Sequence, residues 1–204
     1  MMMSPARPDR ELLFQLATEQ RGYFTSAQAR ELGYSRALLA YHAKTGTLLR
    51  IYPGVYRFRD YPSSPREEIV PAWLTVGKDI AVVSHESALE LWGLSDIIPD
   101  GVHLTVPRSR RSLPKLPGVT IHTTTRAPGP GDVRSYEGLR VTSPTRTILD
   151  VADADAAPDQ IGLALFQTLE RGWASREAIH AEASQRGIRT ARAIDYAFTS
   201  GYPY

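Results

Sequence analysis

The first sixty residues repeat one pattern, in which a capping residue opens a short apolar period and a glycine closes it. After Asp9, a residue able to cap a helix N-terminus, Leu12, Leu13, Leu16 and Ala17 recur at helical spacing, and Arg21-Gly22 ends the run. Thr25-Ser26 opens a second short helix over residues 27–32, closed by Gly33. Ser35 opens a third that reaches Thr45 and stops at Gly46. Two runs of strand composition follow, residues 48–52 and 55–59, joined by the turn signal Pro53-Gly54. Helix, helix–turn–helix and hairpin in that order predict a winged helix-turn-helix over residues 1–62. The string Asp60-Tyr61-Pro62-Ser63-Ser64-Pro65 reads as a linker.

Beyond it the pattern is mixed α/β. Residues 67–76 have helical spacing, with Pro71 either kinking the helix or resetting its start. Residues 80–83 read as a short strand. Ser84 opens a helix to Leu91 that ends at Gly93. Residues 102–106 and 119–123 alternate apolar and polar, as half-buried strands do, and 139–142 is a third candidate strand. Four helices follow, over 144–152, 161–171, 175–185 and 190–200. The fold class predicted is therefore α+β, a winged helix followed by a mixed α/β domain over residues 63–204.

Composition narrows the chemistry. A chain of 204 residues, 42% hydrophobic and 23% charged, can bury a core. The absence of cysteine excludes disulfides, thiolate zinc sites, iron–sulfur clusters and a cysteine nucleophile. No apolar run approaches the roughly 20 residues of a membrane helix, and Met1–Pro8 carries no apolar secretory core, so the expected location is the cytoplasm. Charge is unevenly placed. Residues 1–62 hold nine basic against five acidic residues, and the remainder fifteen against seventeen. A basic first third points weakly to a polyanion.

The helix over residues 35–46 sharpens that pointer. Leu39, His42 and Ala43 share one stripe and are expected to face inward. Arg36, Ala37, Ala40, Tyr41 and Lys44 share the other. Small residues let a helix approach a groove, and Arg can bond guanine bidentately. The hairpin adds Arg50, Arg57 and Arg59. Alternation puts Arg57 and Arg59 on one face and Tyr56 and Phe58 on the other, so both arginines are expected to track phosphates as a wing. With the capping residues Thr25, Ser26 and Ser35, these form the candidate DNA-binding set. Arg146, at a helix start where a cation is unfavourable, is expected to pair with Asp150 one turn on.

Several segments together resemble a known family. Residues 22–26 (Gly-Tyr-Phe-Thr-Ser), 32–35 (Leu-Gly-Tyr-Ser) and 46–56 (Gly-Thr-Leu-Leu-Arg-Ile-Tyr-Pro-Gly-Val-Tyr) are similar to the winged-helix start of AbiEi-type antitoxins of type IV toxin–antitoxin systems. Residues 84–89 (Ser-His-Glu-Ser-Ala-Leu), Trp92-Gly93-Leu94, residues 141–150 (Val-Thr-Ser-Pro-Thr-Arg-Thr-Ile-Leu-Asp) and Arg171-Gly172 with Ser175 resemble that family's later segments. The resemblance implies an autorepressor that binds its own promoter and counteracts a nucleotidyltransferase-like toxin. It also implies that residues 63–204 carry the antitoxin activity, contacts between copies on DNA, or both.

Other readings of the residues stay open. A stand-alone winged-helix regulator, with a second domain that senses a ligand or partner, fits the same elements. A metal-dependent nuclease would need carboxylates and a lysine around a strand. The three lysines, Lys44, Lys78 and Lys115, stand in no such run, so no catalytic residue is assigned. The loop bearing Arg108, Arg110 and Arg111, with Lys115 beyond, is either a second basic patch for a phosphate, RNA or acidic toxin face, or a solvated loop. No two histidines have helical ligand spacing. His103 and His122 are expected on one face of adjacent strands, with Glu86 or Asp100 near, as polar sheet-surface residues. No metal and no cofactor are expected.

Overall fold

The computed structural model describes residues 7–113, 115–126 and 128–200. Residues 1–6, most of the stretch read above as lacking a secretory core, lie outside them. The chain divides into two compact units, one reaching Ile80 and one starting at Ala81.

The first unit is built on α1 (Arg10–Thr18), β1 (Tyr23–Thr25), α2 (Ser26–Glu31), α3 (Arg36–Lys44), β2 (Leu48–Tyr52), β3 (Val55–Phe58) and α4 (Ile69–Val76). Each early helix starts where a side-chain oxygen accepts from a free backbone N–H: Asp9 from Leu12, Thr25 from Gln28 and Ser35 from Leu38. The Gln28 side chain returns the bond to the Thr25 backbone, closing a capping box. The strands form an antiparallel sheet in the order β1-β3-β2. Leu13, Ala17, Phe24, Ala29, Leu39, Leu48, Tyr56 and Phe58 pack into one core. The predicted elements are present, and β1 is an additional strand that pairs with β3.

The boundary at residue 62 is corrected. The stretch expected to be a linker is folded onto the sheet: the Tyr61 ring packs beside Phe14, and Ser64 N–H donates to Glu67. An added Cβ at Gly22 would strike the Tyr61 side chain at 2.4–2.7 Å, so this corner closes only around glycine. The nearly all-buried helix α4 packs on all three strands. It begins at Ile69, so Pro71 falls in its first turn, where a missing N–H costs nothing.

The second unit contains β4 (Val82–Val83), α5 (His85–Trp92), β5 (Val102–Pro107), a 3₁₀ turn (Arg108–Arg110), β6 (Val119–Thr124), β7 (Val133–Tyr136), β8 (Leu139–Thr142), α6 (Pro144–Asp153), α7 (Pro158–Glu170), α8 (Arg176–Arg186) and α9 (Ile188–Ser200). Its sheet has the order β6-β5-β4-β8-β7. The β5–β6 and β4–β8 pairs are parallel, and the β4–β5 and β7–β8 pairs antiparallel. Helices α5–α9 build a core around Leu89, Leu94, Ile148, Leu149, Leu165, Ile179 and Ile194. No helix among the described residues is long and apolar enough to cross a membrane.

Candidate functional site

In the first unit, α3 presents the face its period predicts. Leu39 is buried and His42 and Ala43 half-buried, whereas Arg36, Ala37, Ala40, Tyr41 and Lys44 are exposed. Tyr41 is 60% exposed, its ring meeting only the edge of the His42 ring among the described residues. Arg36, Lys44 and Arg50, the last on β2, are exposed and form no ion pair among the described residues. Arg59 is exposed, and its guanidinium donates to the carbonyl of Gly46 just past α3, where a cation complements the helix dipole. The caps are committed locally. Thr25 and Ser35 hold the N-termini of α2 and α3, and the Ser26 N–H donates to the Gly54 carbonyl at the hairpin turn.

Arg57 departs from expectation. It is only 5% exposed. Its guanidinium donates to the Tyr61 carbonyl at 2.8 Å, the Ser63 hydroxyl at 3.4 Å and the Glu67 carboxylate at 3.2 Å, and lies over the Tyr23 ring. Alternation placed it correctly opposite Tyr56 and Phe58, but residues 61–76 cover that face. Arg57 therefore locks the sheet to the following segment and is unavailable to a phosphate. Of the hairpin arginines, Arg50 and Arg59 remain at the surface.

In the second unit, the segments around residues 84–94, 141–150 and 171 converge. Trp92 donates its indole N–H to the Thr142 carbonyl, and Arg171 donates to the carbonyls of Trp92 and Gly93. Among the start of α5, β6, α6 and α8 lies a cavity of about 500 Å³ lined by His85, His122, Thr124, Arg146, Asp150 and Arg186, among others. Arg146 pairs with Asp150, as expected, and also with Asp132; Arg186 bridges Asp150 and Asp153. Both arginines meet Oδ1 of Asp150, leaving its buried Oδ2 without a partner.

His103 and His122 share one face of the sheet, with Glu86 and Asp100 near His103, as expected, but that face is covered rather than open to solvent. His85 and His103 are buried and His122 half-buried, and the His85 and His122 rings stack at 3.4 Å. Burial, reinforced by the neighbouring His122 and His103, lowers the His85 pKa to about 2. Burial and His103 lower that of His122 to about 4. His85 also holds a left-handed backbone, φ 52°, a conformation that non-glycine residues adopt at a cost. The Ser84 hydroxyl does not cap α5, because it is taken by Thr105 and His85 Nδ1. Register explains the gathering, since β5 and β6 are parallel with Thr105 opposite His122, so His103 and His122 share a face. The basic patch of Arg108, Arg110, Arg111 and Lys115 is exposed and unpaired among the described residues.

Comparison with known proteins agrees with this architecture. Residues 11–59 match the family described as transcriptional regulator, AbiEi antitoxin, and residues 80–199 match the AbiEi antitoxin C-terminal domain. The fold is similar to the crystal structure of the Rv2827c protein from Mycobacterium tuberculosis, with a TM-score of 0.53 at 17% identity, covering 96% of this chain and 81% of that one. No curated protein matches in sequence. The second family match spans more than half of the chain, and this protein belongs to the AbiEi antitoxin family, with a transcriptional-regulator domain in its first part.

Proposed function

We propose that this chain is the antitoxin of a type IV toxin–antitoxin system, binding its own promoter as an autorepressor and counteracting a nucleotidyltransferase-like toxin. The observation that carries the DNA half is the outer face of α3. Two cations, an exposed tyrosine and two alanines stand together there, with Arg50 and Arg59 on the hairpin beside it. In this proposal α3 enters the major groove, the two hairpin arginines contact phosphates, and the second unit carries the antitoxin activity. The role is binding rather than catalysis.

The test is co-expression with the neighbouring toxin gene, scored for growth, alongside a reporter under the chain's own promoter. Wild type should rescue growth and repress the reporter. Arg36→Ala combined with Lys44→Ala should lose repression and keep rescue. Absence of rescue by wild type would overturn the antitoxin role, and full repression by the double variant would overturn the α3 face. The cavity in the second unit favours one other reading, a ligand-sensing regulator. Repression without any rescue would select it.

A further inference from the structure

Folding gathers one imidazole and two carboxylates at the start of β5. His103 is 8% exposed. Its Nδ1 faces Nε2 of His122 at 3.2 Å, while its own Nε2 is buried with no hydrogen-bond partner. That nitrogen lies 3.6 Å from Asp100 Oδ1 and 3.8 Å from Glu86 Oε2. The three ligand atoms all stand within 4.8 Å of one another. These separations are too long for the charge-assisted hydrogen bonds of an imidazolium, which run about 2.7–2.9 Å. They are close to the spacing of ligands around one cation. Two donors about 2.0–2.2 Å from a tetrahedral zinc stand about 3.4 Å apart.

We propose that His103 Nε2, Glu86 and Asp100 bind a divalent transition-metal cation of the zinc class. In the tautomer of His103 whose Nδ1–H donates to His122, the Nε2 lone pair faces the two carboxylates. That arrangement is repulsive alone and favourable around a cation. Orientation of a ligating histidine through its second nitrogen is the usual support for a metal ligand. A nitrogen–carboxylate donor set suits zinc better than calcium or magnesium.

The frame around the three residues is rigid. Ser87 Oγ accepts from the His103 N–H at 2.9 Å and donates to the Gly101 carbonyl at 3.3 Å, tying the start of β5 to α5. An added Cβ at Gly101 would lie 2.6 Å from the Gly118 carbonyl oxygen, so the chain beside Asp100 passes where only glycine fits. The Asp100 side chain is 93% exposed, giving solvent access for the ion and for waters that complete its coordination. A bound cation clips the loop before β5 to the first turn of α5.

The experiment is calorimetric titration of the chelator-treated full chain with zinc chloride, together with thermal unfolding with and without zinc. Wild type should bind one equivalent and unfold at higher temperature with zinc. Asp100→Asn and Glu86→Gln should each weaken binding at least about tenfold. Asp100→Asn is the deciding variant, because its exposed side chain supports no core packing. His180→Gln, which removes the other histidine with a close carboxylate, Asp195 at 3.1 Å, should bind as wild type does. No zinc binding by wild type, or equal affinity in Asp100→Asn, overturns the proposal.

Discussion

Replacing Arg57 by alanine separates a structural arginine from a DNA contact. Three contacts share the two hydrogens of one terminal nitrogen of its guanidinium, and the bond to the Tyr61 carbonyl is the shortest, at 2.8 Å. Hydrogen bonds to charged groups contribute about 1.5–3 kcal/mol each when partners are left without replacement. Full weight for all three would overstate the loss. The Ser63 bond is long, and Glu67, with its side chain 31% exposed, can rehydrate once its partner is gone. One strong bond plus a discounted ion pair sets the cost at about 2–3 kcal/mol. For a unit of this size that lowers the melting temperature by on the order of 10 °C. The assay is thermal and urea unfolding of the full chain, followed by fluorescence, with DNA affinity measured across a salt series on the folded variant. Stability should fall, and the slope of log affinity against log salt should stay as in wild type. Unchanged stability with a slope reduced by about one would show Arg57 on a phosphate and refute the burial argument.

Arg50→Ala, by contrast, should leave stability nearly unchanged, and Arg59→Ala should cost about 1 kcal/mol through its lost bond to the Gly46 carbonyl; each should reduce that slope by about one, on cognate and random duplexes alike, as filter binding would show. Asp150→Asn should destabilise the second unit by about 3 kcal/mol, because Arg146 and Arg186 both converge on the same oxygen; urea unfolding tests this, and a loss below about 0.5 kcal/mol would mean the pair rehydrates freely. A fragment of residues 1–80 should unfold cooperatively, whereas residues 1–62 should not, since the shorter one lacks Glu67 and α4 against the sheet; equal cooperativity by calorimetry would return the boundary to residue 62.

Helix α3 was legible because its information is local. Ser35 caps it, Gly46 ends it, and a period of 3.6 separates Leu39 from Tyr41 and Lys44 without reference to anything else. Arg57 was half legible for the complementary reason. Alternation tells which side of a strand a residue occupies, but not what a segment ten residues later lays over that side. The same cause hid the boundary: the Pro-Ser-Ser-Pro composition of residues 62–65 suits a linker, and only Tyr61 and Glu67 in place show it packed. Strand β1 has three residues, too few for alternation to stand out, and β7, Val-Arg-Ser-Tyr, is apolar only at its two ends and so does not alternate. The three clustered histidines come from a helix start and two strands, so their spacing along the chain carries no trace of the β5–β6 register that unites them.

The measurement closest to the central claim is the affinity of wild type and Arg36→Ala for the promoter duplex and for a scrambled duplex of equal length, at several salt concentrations. Base contacts specify, whereas phosphate contacts position. If α3 reads a guanine through Arg36, the variant loses about 1–3 kcal/mol on the promoter and much less on the scrambled duplex, with little change in salt slope. Equal losses on both duplexes, or none on either, contradict α3 as the reading helix.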